Sequence, residues 1–279
     1  MTQEIKIDLK KRTENFTICL SKRVAVNNLR PVKVVSVFDV SGSTAKLFGI
    51  GDGAPKYGPA QESAMQVAFD RALAIAAALD DDGTMEVHAF DTRAFRLPDA
   101  DLDGYGGYID KNIVRNRSIG WGGTSYAPVI RQIADAISPS LLAPPVTTAQ
   151  PAPKRPSGFF GKLTSMFSGA DEPEVTVQPV TTILEDVTPT FVLFKTDGDT
   201  GDSSATESLL ATLVERRAPV FFCMIGVGTG SSFSHLKQWE KKFPNVSFVD
   251  MGNLNIADDE LNDKIVTVRF TDWLKQFTK

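Results

Sequence analysis

Three short motifs carry oxygen side chains at spacings that suit a hard metal ion. Asp39-Val40-Ser41-Gly42-Ser43 follows the apolar stretch 32–38 and sets a carboxylate and two hydroxyls at every second position. Gly122-Gly123-Thr124-Ser125 adds a hydroxyl on a flexible turn, and Thr196-Asp197-Gly198 adds a second carboxylate after another apolar run. Magnesium takes near-octahedral oxygen ligands at about 2.0–2.1 Å and often keeps waters of its own. Asp39, Ser41, Ser43, Thr124 and Asp197 suit that requirement, and Mn2+ or Ca2+ are the alternative divalent ions. Because the hydroxyls are neutral, a cation held this way keeps net positive charge and an open position for a partner's carboxylate. Taken singly, the same residues have a plainer use, with Asp39 and Ser41 shaping a turn and Ser43 capping the next helix.

The type and order of these motifs resemble the metal-ion-dependent adhesion site of von Willebrand factor A domains. That resemblance implies that Ser41, Ser43 and Thr124 contact the ion and that Asp39 and Asp197 act directly or through water. It also implies a protein partner that presents Asp or Glu to the metal. Further stretches are similar to the bacterial tellurium-resistance, TerF-type branch: Leu79-Asp80-Asp81-Asp82-Gly83, Val87-His88-Ala89-Phe90-Asp91, Gly122 through Pro128, and Asp258-Asp259-Glu260-Leu261 with Trp273-Leu274 near the end. The branch implies a place in a stress-response or tellurite-resistance assembly. A reaction on tellurium does not follow from these residues.

The elements that must position the motifs alternate. Residues 32–38 are nearly all apolar, as in a parallel strand buried on both faces. Met65, Ala68, Phe69, Ala72, Ile75, Ala76 and Leu79 recur at helical spacing, and Asp80 to Gly83 stop that helix. Strands over 85–90, 94–97, 191–194, 219–226 and 246–250 alternate with helices over 105–114, 127–137, 203–217 and 232–243 and with a helical C-terminus. This predicts an α/β fold with a doubly wound, mostly parallel sheet. Such sheets bind ligands beyond the strand carboxyl ends where the strand order reverses. Asp39 and Asp197 meet there if their strands are neighbours, as they are in the A-domain fold.

Ahead of this domain (31–279), residues 1–30 are expected to form an arm packed on it. Ile5, Ile7 and Leu9 alternate with polar residues, as do Phe16, Ile18 and Leu20, so 4–21 reads as two half-buried strands or an edge hairpin. Residues 139–182 hold eight of the sixteen prolines and interrupt the domain as a flexible insertion. Within it, 158–168 places Phe159, Phe160, Leu163, Met166 and Phe167 on one helical face beside Lys154, Arg155 and Lys162. That face fits three destinations: this same domain, a groove on another protein, or a membrane surface.

Bulk properties narrow the function. With 279 residues, 42% hydrophobic and 23% charged, the chain can bury a large core, and its net charge of -4 gives no general attraction to nucleic acid. Cys19 and Cys223 form no disulfide framework or zinc motif. Glu4, Lys6, Asp8, Lys10, Lys11 and Arg12 occupy the place of a signal peptide's apolar stretch, so the expected location is the cytoplasm.

Two enzymatic readings compete. A haloacid-dehalogenase-type, metal-dependent phosphatase also places an Asp after its first strand, but needs an acid two residues later, where this chain has Ser41. Gly226-Val227-Gly228-Thr229-Gly230, followed by Asp250, has the layout of a dinucleotide fingerprint and suggests an oxidoreductase-like protein, with Ser231 where the third glycine belongs. Asp199 and Asp202 are expected to turn their loop and cap the helix that starts near Ser203. His88 and His235, the only histidines, lie beside no nucleophile elbow. The expectation is a binding module and not an enzyme.

Overall fold

A computed structural model describes residues 3–57, 61–80, 82–103, 106–143, 187–228, 232–252 and 256–278. In chain order these form α1 (Gln3–Ser21), β1 (Lys33–Asp39), a small antiparallel pair β2 (Lys56–Tyr57) and β3 (Glu62–Ser63), α2 (Ala64–Leu79), β4 (Glu86–Phe90) and β5 (Ala94–Arg96). Then come α3 (Ala127–Ile137), β6 (Thr190–Thr196), α4 (Ser203–Glu215), β7 (Val220–Gly226), α5 (Ser234–Lys242), β8 (Val246–Asp250), α6 (Asp258–Ile265) and α7 (Val268–Leu274). The main sheet runs β5-β4-β1-β6-β7-β8 with only the edge strand β5 antiparallel. This is the doubly wound, mostly parallel sheet that the alternation predicts.

Both faces of the sheet are covered, and the strand residues divide between them by their period of two. Val34, Phe38, Phe191 and Leu193 pack with residues of α1, α2, α6 and α7, including Phe16, Ile75, Leu261 and Phe270. Val35, Val37, Val192 and Phe194 pack with α3, α4 and α5 through Ile130, Leu210 and Trp239. Each large apolar side chain fully buried in this way contributes about 1.5–3 kcal/mol of transfer free energy. From β1 the chain crosses α2 to β4 on one side, and the later strands extend the other side from β6. The strand order therefore reverses between β1 and β6, whose carboxyl ends carry Asp39 and Asp197.

The N-terminal expectation was wrong: residues 4–21, read as strands, lie in helix α1. Its buried residues Leu9, Phe16 and Leu20 are spaced seven and four apart, one helical stripe that lies on α2 and α6. Ile18, which alternation would place with Phe16 and Leu20, is 55% exposed. Asp8–Arg12 at 3.1 Å and Lys10–Glu14 at 3.9 Å are pairs one helical turn apart. Apolar residues at i and i+4, such as Phe16 and Leu20, satisfy both periods, and the packing against α2 belongs to the helix.

The helix expected over 105–114 is observed as a π-helical turn over Asp110–Val114. Residues 139–141, placed in the flexible insertion, make a 3-10 turn whose Leu141 is buried. Residues 144–182 of that expected insertion, with the 158–168 helical face, lie outside the described residues.

Candidate functional site

Register brings the first and third motifs together. Phe38 pairs with Lys195, so Asp39 ends its strand beside Thr196. The fully buried Asp39 carboxylate is held at both oxygens: Oδ1 accepts the Ser41 N–H at 2.9 Å and Oδ2 accepts the Thr196 hydroxyl at 2.6 Å. Ser41 Oγ lies 3.1 Å from Ser43 Oγ, which donates to Asp197 Oδ1 at 3.1 Å. Thr44 clamps the turn, its hydroxyl facing the carbonyl of Ser41 at 2.8 Å and that of Asp39 at 3.0 Å. The plain turn reading is thus correct for Asp39, whereas Ser43 caps no helix and points across to β6.

The loop that carries Thr124 is held beside the serine turn by its backbone. Gly42 N–H donates to Gly122 O at 3.0 Å, and Ser125 N–H donates to Asp91 O at 3.0 Å, which moors the glycine-rich turn between the ends of β1 and β4. Trp121 in that turn has φ 52°, a left-handed backbone uncommon outside glycine, and its ring meets Phe48 edge-on at 5.1 Å. Thr124 O accepts Gly201 N–H at 2.9 Å, and no hydrogen bond of the Thr124 hydroxyl is found among the described residues.

Burial raises the Asp39 pKa to about 6, with the Asp197 charge adding to it, against the lowering effect of the Thr196 and Ser41 hydrogen bonds. The Asp197 pKa is also raised by burial. These are conditions that a bound cation would relieve. Ligands at right angles on a small cation with bonds of about 2.1 Å stand about 3 Å apart. The Ser41–Ser43 and Ser43–Asp197 separations of 3.1 Å match that spacing. Among the described residues no group of three or more His, Cys, Asp or Glu could hold a metal ion, so any cation here would depend on the hydroxyls. The donor set fits a hard divalent ion.

Three supporting residues, Thr196, Thr44 and Tyr126, have no role that the sequence alone assigns. Asp202 is the N-cap residue of α4 as expected, but its carboxylate makes no cap bond to that helix's backbone and accepts the N–H groups of Tyr126 and Ala127, both at 3.0 Å, at the start of α3. Asp199 likewise serves another helix, accepting Ser234 N–H at 3.2 Å and His235 N–H at 3.1 Å at the start of α5. Their partners are more than thirty residues away, and no local pattern reveals them.

The rival strand end is built differently. A Cβ on Gly226 would lie 2.8 Å from the Phe233 ring, so this glycine makes room for an aromatic side chain. Asp250 Oδ1 accepts Gly252 N–H at 3.0 Å in its own turn. Residues 229–231 of the fingerprint lie outside the described residues. His88 is a satisfied core histidine, with Glu86 at 2.7 Å and Gln132 at 2.8 Å.

A family model described as vWA-TerF-like, the vWA found in the TerF C terminus, matches residues 31–147 and 155–279. The chain belongs to this von Willebrand factor A family. A-domains are generally protein-interaction modules. This A-domain chain is 23% identical over 276 residues to "Uncharacterized protein YcbR" of Bacillus subtilis (strain 168), covering 97% of the chain and 87% of the relative. Similar solved structures include proximal thread matrix protein 1 from the mussel byssus, at a TM-score of 0.46 and 10% identity over 86% of this chain and 47% of that one. A form of the same mussel protein described with a zinc-occupied MIDAS motif gives 0.43 and 11% over 86% and 48%. A von Willebrand factor type A from Catenulispora acidiphila gives 0.41 and 13% over 85% and 43%. The A-domain chain thus spans less than half the length of these solved chains. No described helix is long and apolar enough to cross a membrane.

Proposed function

We propose that this chain is a magnesium-dependent protein-binding module that captures an acidic residue of a partner protein. Asp39, Ser41, Ser43, Thr124 and Asp197 would hold the ion. The observation that carries the reading is the run of oxygens from Asp39 through Ser41 and Ser43 to Asp197, at the point where the strand order reverses. When bound, the ion supplies positive charge and a coordination position for a carboxylate. The protein's part is to hold the loops: Thr196 and Ser41 orient Asp39, Thr44 fixes the serine turn, and the Gly42–Gly122 contact keeps Thr124 beside it. Membership of the TerF-like family supports a place in a cytoplasmic stress or tellurite-resistance assembly, and no residue of the site calls for catalysis.

Thermal melting in magnesium and in chelator tests the assignment. A ligand at about 100 times its dissociation constant stabilises by roughly 2.7 kcal/mol. The melting temperature should rise with magnesium in the unaltered chain and not in Asp39→Ala or Asp197→Ala. A full response in both variants would show that the ion binds elsewhere.

A further inference from the structure

Tyr126 is fully buried two residues after Thr124, and it ties the Thr124 turn to the loop that carries Asp197. Its ring is fixed by Phe90 at 5.4 Å, Phe194 at 4.9 Å and Trp239 at 6.1 Å between centroids, on β4, β6 and α5. Its N–H faces Asp202 at 3.0 Å and Thr200 at 3.2 Å in the loop that follows Asp197. Its hydroxyl lies 2.9 Å from Thr196 Oγ1 and also bonds Gly198 O.

The proton count gives this contact a direction. Thr196 has one hydroxyl proton and three acceptors within reach, Asp39 Oδ2 at 2.6 Å, the Tyr126 hydroxyl oxygen at 2.9 Å and Gly198 O at 3.2 Å. The carboxylate is the nearest and strongest acceptor of the three and takes the threonine proton, which leaves Thr196 Oγ1 to accept from the Tyr126 hydroxyl. The side chain that orients Asp39 is thereby held from a third element.

We propose that Tyr126 is a positioning residue for the cation, acting through Thr196 on Asp39. This rests on the metal reading above. The hydroxyl sets the orientation of the Asp39 carboxylate, while the backbone N–H keeps the Thr124 turn against the Asp197 loop.

Tyr126→Phe keeps the ring and removes the hydroxyl. Magnesium titration of the full chain by calorimetry, below the melting temperature of every variant, should show affinity weakened about tenfold or more, equivalent to about 1.4 kcal/mol. Thr196→Val should give a similar loss, Thr196→Ser should keep near-normal affinity, and the Tyr126→Phe/Thr196→Val double variant should be little worse than either single one, since both break one chain. Leu213→Ala thins the same core cluster from α4 and should lower the melting temperature without moving magnesium affinity. Normal affinity in Tyr126→Phe, or an equal loss in Leu213→Ala, overturns the inference and leaves the metal reading standing. If the unaltered chain binds no magnesium, both fall.

Discussion

The ends of β6 and β7 are made of the same kinds of residue: each follows a buried parallel strand, each contains glycine, and each has aspartate at or beside it. At β6 the side chains leave their own loop. Thr196 goes to Asp39, Asp197 to Ser43, Asp202 to the start of α3 and Asp199 to the start of α5. At β7 the contacts are backbone or packing: Gly226 O accepts Met251 N–H at 2.9 Å, Gly228 N–H donates to Gly252 O at 2.8 Å, and Phe233 fills the space over Gly226. Glycine and aspartate at a strand end therefore do not make a site. What distinguishes β6 is its place beside β1, where another loop's oxygens face it.

The largest expected difference between the two ends is in partner capture. Removing one member of a buried charged contact costs about 2–5 kcal/mol of binding, so Asp39→Ala or chelator should release the partner and Thr124→Ala should weaken it. Asp250→Ala should leave capture unchanged, measured by quantitative pull-down with purified partner. Equal losses at Asp39 and Asp250 would erase the distinction.

Gly226→Ala should cost about 1–3 kcal/mol of stability by forcing the Phe233 ring aside, while the melting response to magnesium persists. Chemical denaturation with and without magnesium measures both.

A buried carboxylate away from either end sharpens the contrast. Asp70 on α2 accepts Gln66 Nε2–H at 2.8 Å, and burial first, then the nearby Glu62, raise its pKa from 3.8 to about 7. Between those values the folded chain holds a proton that the unfolded chain releases. Its contribution to stability therefore falls as pH rises from 3.8 to about 7 and is flat beyond. Asp70→Asn should flatten that slope and raise stability at pH 8 by about 1–2 kcal/mol, with the magnesium response intact. A steeper slope or a loss of stability at pH 8 would contradict this.

The smallest effect is expected at Asp250, whose replacement by Ala should change stability by less than about 0.5 kcal/mol. Calorimetric titration with nicotinamide cofactors should give no heat that Asp250→Ala abolishes.

Sequence legibility followed the range of the interactions. The motif residues Asp39, Ser41, Ser43 and Asp197 could be chosen because their spacing and strand-end position are local signals, and the sheet was readable because strands 32–38 and 219–226 are continuous apolar runs. Tyr126 and Asp202 were not recognisable, since the partners they bond across the site are seventy or more residues away and meet only once α3 and the β6 loop come together. The helix of α1 was not legible because Phe16 and Leu20, four apart, fit both periods, while Leu9 joins their face only in a helix.

The central claim is that one divalent cation sits among the loops that end β1 and β6 and contain Thr124. Anomalous scattering from crystals grown with manganese tests it most directly. A single strong peak is expected within about 2.0–2.4 Å of the Ser41 and Ser43 hydroxyl oxygens, on the side facing Thr124 and Asp197. A peak at any other group of residues, or none at a manganese concentration that raises the melting temperature, would contradict it.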